Sequence, residues 1–138
     1  MTLLIVDDDE GITSLLNYRI KEYYPDMKFK VYESPKKLIE ELKVSYPNKG
    51  EILLVSDINM WEMNGEELAK YLQSSYPEIT ISFLTAYEEG EEIEKLRSLG
   101  INKFFIKKVK LQTIVHQIVE YYIYVKQQKE LKEMFEEK

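Results

Sequence analysis

The sequence predicts an α/β domain in which one parallel sheet carries helices on both faces. Three observations predict it. Apolar runs of strand length recur along the chain, helix-period segments separate them, and polar residues follow the runs directly. The runs Leu3–Val6, Ile52–Val55, Ile79–Leu84 and Phe104–Ile106 are too short for helices and unbroken enough for strands buried on both faces. Residues 27–32 differ, because Met27, Phe29 and Val31 alternate with Lys28, Lys30 and Tyr32. That alternation predicts an edge strand with one wet face, Tyr32 lying on it.

The helices follow in turn. Ile12, Leu15, Leu16, Ile20 and Tyr23 recur at helical spacing, and Pro25 ends that segment. Ser34-Pro35 is a helix start, a capping hydroxyl followed by proline in the first turn, with Leu38, Ile39 and Leu42 as the buried stripe. Asn64 and Glu67 form a capping-box pattern ahead of Leu68, Tyr71 and Leu72. Ile93, Leu96 and Leu99 make a fourth stripe, closed by Gly100. A fifth helix begins near Lys110. Strict alternation of five strands and five helices, with right-handed crossovers and the second strand at an edge, predicts a flavodoxin-like sheet of order 2-1-3-4-5.

The bulk composition bounds the function. The chain has 138 residues, 44% of them hydrophobic, and a net charge of −6, so one domain is expected and direct nucleic-acid binding by it is not. There is no cysteine for a disulfide or a thiolate metal site. Leu3–Val6 runs into three aspartates, too short and too acidic for a signal peptide, and no apolar run is long enough to span a membrane. A soluble cytoplasmic protein is the expectation.

In open α/β sheets, ligands bind beyond the carboxyl ends of the strands, where the strand order reverses. The first strand ends in Asp7-Asp8-Asp9 and the third in Asp57; the fourth ends in Thr85 and the fifth in Lys107. Asp9 suits either a helix cap or the cluster. Capping accounts poorly for Asp7, Asp8 and Asp57 together. At an effective dielectric of about 20, two carboxylates about 5 Å apart repel by on the order of 3 kcal/mol. Such a cluster persists by raising a pKa or by binding a cation, and oxygen ligands without His or Cys suit Mg²⁺ or Mn²⁺. A carboxylate can also attack phosphorus. On this reading Asp7 and Asp8 hold the metal and Asp57 is the nucleophile. Lys107 supplies a positive charge, and Thr85 donates a hydrogen bond.

These residues resemble the receiver domains of two-component response regulators, over roughly residues 2 to 125. The resemblance lies in Leu4-Ile5-Val6-Asp7-Asp8-Asp9-Glu10, in Leu54-Val55-Ser56-Asp57-Ile58-Asn59-Met60 with Met63-Asn64-Gly65, in Leu84-Thr85-Ala86 and in Phe104-Phe105-Ile106-Lys107. It implies that Asp57 accepts a phosphoryl group from a sensor histidine kinase or phosphotransfer protein. Asp57 and the backbone carbonyl of Asn59 would join Asp7 and Asp8 on Mg²⁺, and the amide of Ala86 would contact the phosphoryl group. It further implies that Thr85 and Phe104 switch the surface formed by the fourth helix, fifth strand and fifth helix. Such a domain signals; it is not an enzyme beyond catalysing its own phosphorylation and dephosphorylation. Two departures stand out. Trp61 occupies a place where the family commonly has proline, and Lys108 stands where a cis-bonded proline usually follows the lysine. A non-proline cis bond costs about 3 kcal/mol, so a trans bond and a displaced Lys107 loop are expected.

Residues 1–125 are expected to form the receiver domain and residues 126–138 a helical extension, serving as a linker or a dimer contact. Leu111, Ile114, Val115, Ile118, Val119 and Tyr122 form the packing face of the last helix, and apolar residues return at Leu131, Met134 and Phe135. If helical to Phe135, the segment is about 39 Å long. Tyr121, Tyr122 and Tyr124 favour a homodimer contact. His116 is expected to be a partly exposed helix residue rather than a phosphohistidine. Two rival functions are weaker. A phosphatase of the haloacid-dehalogenase type would use Asp7 and leave Asp57 idle, and an unphosphorylated binding module would not need Asp8, Asp57, Thr85 and Lys107.

Overall fold

The computed structural model describes residues 1–136. Strands β1 (Thr2–Val6), β2 (Phe29–Tyr32), β3 (Ile52–Asp57), β4 (Thr80–Thr85) and β5 (Phe104–Ile106) alternate with helices α1 (Glu10–Tyr23), α2 (Pro35–Ser45), α3 (Gly65–Ser75), α4 (Glu91–Ser98) and α5 (Leu111–Glu136). The strands pair in parallel in the order β2-β1-β3-β4-β5, the flavodoxin-like arrangement that the sequence predicts.

Alternation along each strand builds two apolar layers. Leu3, Ile5, Leu53, Val55, Leu84 and Phe105 face Leu16 and Ile20 of α1 and Ile114, Val115 and Ile118 of α5. On the other face Leu4, Val6 and Leu54 meet Leu38 and Leu42 of α2 and Leu68 and Leu72 of α3. Phe83 packs there with Ala69, Ile93 and Leu96. Each such aliphatic side chain contributes roughly 1.5–3 kcal/mol by leaving water.

The helix starts form as their sequences direct. The Ser34 side chain caps α2 by accepting the Lys37 amide, and Asn64 and Glu67 exchange the reciprocal bonds of a capping box at α3. Gly100, at φ 86°, closes α4 in the left-handed conformation that glycine adopts without steric cost.

Three expectations are corrected. Tyr32 is buried, not wet, and its hydroxyl lies 3.1 Å from that of Tyr46. Helices cover both faces of a doubly wound sheet, so even its edge strand keeps only Lys30 exposed, paired with Glu41 of α2. Leu15 is 50% exposed because it lies about 100° around the helix from Leu16, off the Thr13–Leu16–Ile20 stripe. Tyr23 keeps the right azimuth but sits in the last turn, partly exposed, its ring 5.4 Å from that of His116.

Helix α5 runs unbroken past residue 125. Tyr122 donates to the Met1 carbonyl, Val125 is also buried, and Lys129 donates to the Gly50 carbonyl at the far end of the sheet from the carboxyl-terminal loops. Leu131, Met134 and Phe135 are exposed. His116 is half-buried and hydrogen-bonded to Tyr24. Among the described residues no helix is long and apolar enough to cross a membrane.

Candidate functional site

Strand register brings the acidic residues together. Val6 pairs with Ser56, so the next residues, Asp7 and Asp57, leave adjacent parallel strands side by side. By alternation they project to the α1/α5 face, as does Lys107, which follows Phe105 by two. Thr85 follows Phe83 and starts toward the opposite face.

Asp7 is fully buried and Asp57 nearly so. The Lys107 ammonium bridges them, 2.8 Å from Asp57 Oδ1 and 3.1 Å from Asp7 Oδ2. The peptide after Lys107 is trans, yet the lysine still reaches both acids, so the anticipated displacement does not take it out of the cluster. Burial holds the Asp57 carboxyl above its ordinary range; the Lys107 hydrogen bond opposes that rise and the charge of Asp7 adds to it. Burial pulls the Lys107 ammonium down, but the two carboxylates outweigh it and hold its pKa above the usual lysine value.

Asp8 completes the acidic set. Asp7, Asp8 and Asp57 each offer an oxygen, all within 4.8 Å of one another. Asp8 Oδ2 accepts a hydrogen bond from the backbone N–H of Trp61 at 3.1 Å. Asp9 resolves to the helix cap, its Oδ1 accepting from the amides of Gly11 and Ile12 at 2.9 and 3.3 Å. Its own N–H donates to Asp7 Oδ1 at 3.0 Å. Three carboxylates around one ammonium leave an excess of negative charge. Oxygen donors with that excess fit a hard divalent cation such as Mg²⁺ or Mn²⁺.

The remaining expected residues ring this cluster. Thr85 is buried, and its hydroxyl closes a small turn, donating to the Tyr87 carbonyl at 3.0 Å and accepting the Tyr87 amide at 3.1 Å. Ala86 is exposed beside it. Asn59 is exposed, with its side-chain amide 3.4 Å from Glu92 of α4. Phe104 is half-buried and stacks on Phe83, ring centroids 6.5 Å apart, with the Arg97 guanidinium 5.6 Å from its centre. The Trp61 amide leaves no mark in the sequence beyond the absence of proline at that place, since every residue but proline carries one.

Comparison with known proteins bears on the family and the fold. The response regulator receiver domain family matches residues 3–119. The chain is 28% identical to the transcriptional regulatory protein FlgR of Helicobacter pylori over 118 residues, 86% of this chain and 29% of that protein. It is 25% identical to the transcriptional regulatory protein CreB of Escherichia coli over 100 residues, 72% of this chain and 40% of that one. The chain thus spans well under half the length of either regulator. A CheY-like response regulator receiver domain protein from Methanospirillum hungatei shares the fold, with a TM-score of 0.73, 19% identity, and coverage of 92% and 97% of the two chains.

Proposed function

Because the chain belongs to the response regulator receiver domain family of two-component systems, we propose that it accepts a phosphoryl group on Asp57 and relays that event through its surface. The donor is a phosphohistidine on a sensor histidine kinase or phosphotransfer protein. An Asp57 carboxylate oxygen attacks phosphorus, the phosphorus–nitrogen bond breaks, and the imidazole leaves as an acyl phosphate forms.

One observation carries this reading: Lys107 sits 2.8 Å from Asp57 Oδ1, beside two further carboxylates at the carboxyl end of the sheet. Lys107 offers the phosphoryl oxygens a positive charge in place, without reorganisation. Asp7, Asp8, Asp57 and the Asn59 carbonyl would hold Mg²⁺ or Mn²⁺. When bound, that cation neutralises charge on the phosphoryl oxygens and on the crowded carboxylates. The Ala86 amide and the Thr85 hydroxyl would hydrogen-bond the phosphoryl group, Thr85 leaving Tyr87 to do so. Phe104 would then move against Phe83 and change the face made by α4, β5 and α5.

In this reading residues 1–125 form the receiver, and the expected extension over residues 126–138, of which 137 and 138 lie outside the described residues, reaches toward a second copy of the chain. Tyr124, Leu131 and Phe135 share a stripe of α5 turned away from the sheet, which supports that contact. Sedimentation of the wild type against Phe135→Glu tests it; equal masses would remove it.

The main experiment is intact mass after incubation with acetyl phosphate and Mg²⁺, for wild type and Asp57→Asn. A Mg²⁺-dependent single phosphoryl adduct, absent from the variant, is expected. No adduct at any Mg²⁺ concentration would overturn the reading and favour a binding module that works without phosphorylation.

A further inference from the structure

We propose that the backbone amide of Trp61 is a positioning group for the cation, acting through Asp8, and that its indole has no part in this. The inference rests on the reading that Asp7, Asp8 and Asp57 hold a divalent cation.

Asp8 is the least buried of the three carboxylates. Asp7 has Lys107 and the Asp9 amide, and Asp57 has Lys107. Among the described residues, Asp8 has a single hydrogen-bond donor, the Trp61 N–H at 3.1 Å. Repulsion from Asp7 and Asp57 pushes an unheld Asp8 toward solvent, where a carboxylate rotates freely and is well hydrated. The Trp61 amide ties Oδ2 to the β3–α3 loop and leaves Oδ1 directed by that anchor. This orientation is settled before a cation arrives, so less conformational freedom is lost on binding. Proline at this place could not supply the bond, because it has no N–H.

The indole points elsewhere. Trp61 is 87% exposed, so core packing does not dictate its identity or fix its ring. Backbone and side chain therefore make separable predictions. A hydrogen bond also draws charge from a carboxylate and weakens it as a ligand. Orientation dominates here because the charge of the cluster is already in excess while the geometry of Asp8 rests on one bond.

The test is Mg²⁺ affinity of the full chain, read from amide NMR shifts without any phosphodonor. Four forms are compared: wild type, Trp61→Ala, Trp61→Pro, and a chain with indole-3-lactic acid at position 61. The last replaces the N–H by an ester oxygen and keeps the indole, so it remains decisive if proline disturbs the loop. Trp61→Ala is expected to bind within about twofold of wild type, as exposed side-chain changes usually do. The ester and proline forms are expected to bind about tenfold more weakly, with wild-type melting temperatures for the ester form.

Wild-type affinity in the ester form would overturn the proposal and leave the cation reading intact. An equal loss in Trp61→Ala would overturn it by assigning the effect to the indole. If the wild type shows no saturable Mg²⁺ binding, the cation reading falls and the proposal falls with it.

Discussion

Lys107 Nζ donates to Asp57 Oδ1 at 2.8 Å, yet the Asp57 carboxyl still lies above its ordinary value of 3.8. Burial therefore outweighs the ion pair at this residue, and folding makes the Asp57 carboxyl harder to ionise than it is in the unfolded chain. Lys107, shared with Asp7, serves the two acids only in part.

A pH dependence follows. A carboxyl whose folded pKa is raised contributes stability that is full below its unfolded value and is lost as pH rises through the folded one. In Mg²⁺-free buffer, Asp57→Asn is expected to raise the melting temperature near pH 7, because the neutral amide avoids the burial and Asp7 repulsion that oppose the ionised carboxylate. The gain should vanish below about pH 3.8, where the wild-type acid is protonated as well. Thermal melts across pH check it. Destabilisation at neutral pH would mean that the Lys107 pair outweighs burial.

On the proposed function, the excess negative charge of the Asp7, Asp8 and Asp57 cluster would also set a response to Mg²⁺. A ligand that binds only the folded state stabilises it by about 1.4 kcal/mol at a tenfold excess over Kd. Melting temperature should rise with Mg²⁺ in the wild type. It should rise further in Lys107→Met, where Asp7 and Asp57 lose their shared ammonium. In Asp8→Asn the rise should be largely lost. A rise of equal size in all three would place the bound cation outside this cluster.

What could be read beforehand, and what could not, divides along physical lines. Strand ends are legible because a run such as Leu54–Val55 must stop where Asp57 begins, and parallel register then forces Asp57 beside Asp7. The Asn64–Glu67 cap is equally legible, since both partners lie within one turn. The burial of Tyr32 is not legible, because its neighbours alternate in sequence while α2 covers it in space. The Asp9 cap and the site were both compatible with the same residue, and only geometry separates them. Lys129 shows no pattern at all; it is partly buried because α5 passes the turn at Gly50.

Gly65 is a close approach between site and scaffold. A Cβ there would lie 2.7 Å from Phe83 Cε1 and 3.0 Å from the Ile58 Cα, next to Asp57. The Gly65 amide also donates to the Ile58 carbonyl at 2.7 Å, so the backbone cannot retreat without losing that bond. Gly65→Ala is expected to cost about 1–3 kcal/mol, the range for overpacking. Urea denaturation reads the cost directly. A neutral result would show that the Phe83 ring yields freely, against its full burial beside Phe104.

Thr85 and Phe104 are linked through β4. Thr85 and Phe83 share one face of that strand, and Phe83 pairs in register with Phe104 of β5. The Thr85 hydroxyl now holds the Tyr87 backbone through two bonds. On the proposed function, drawing it toward a phosphoryl group would break both bonds and free the β4–α4 loop, changing the space beside Phe83. Thr85→Ser retains the hydroxyl, whereas Thr85→Val keeps the shape and removes it. Valine is expected to cost about 1 kcal/mol, because Tyr87 is exposed and water replaces part of what is lost. The discriminating measurement is the ring NMR signals of Phe104 on adding beryllofluoride and Mg²⁺. Wild type and Thr85→Ser should shift, and Thr85→Val should bind the mimic without the shift. A full Phe104 response in Thr85→Val would mean that the aromatic moves independently of the hydroxyl.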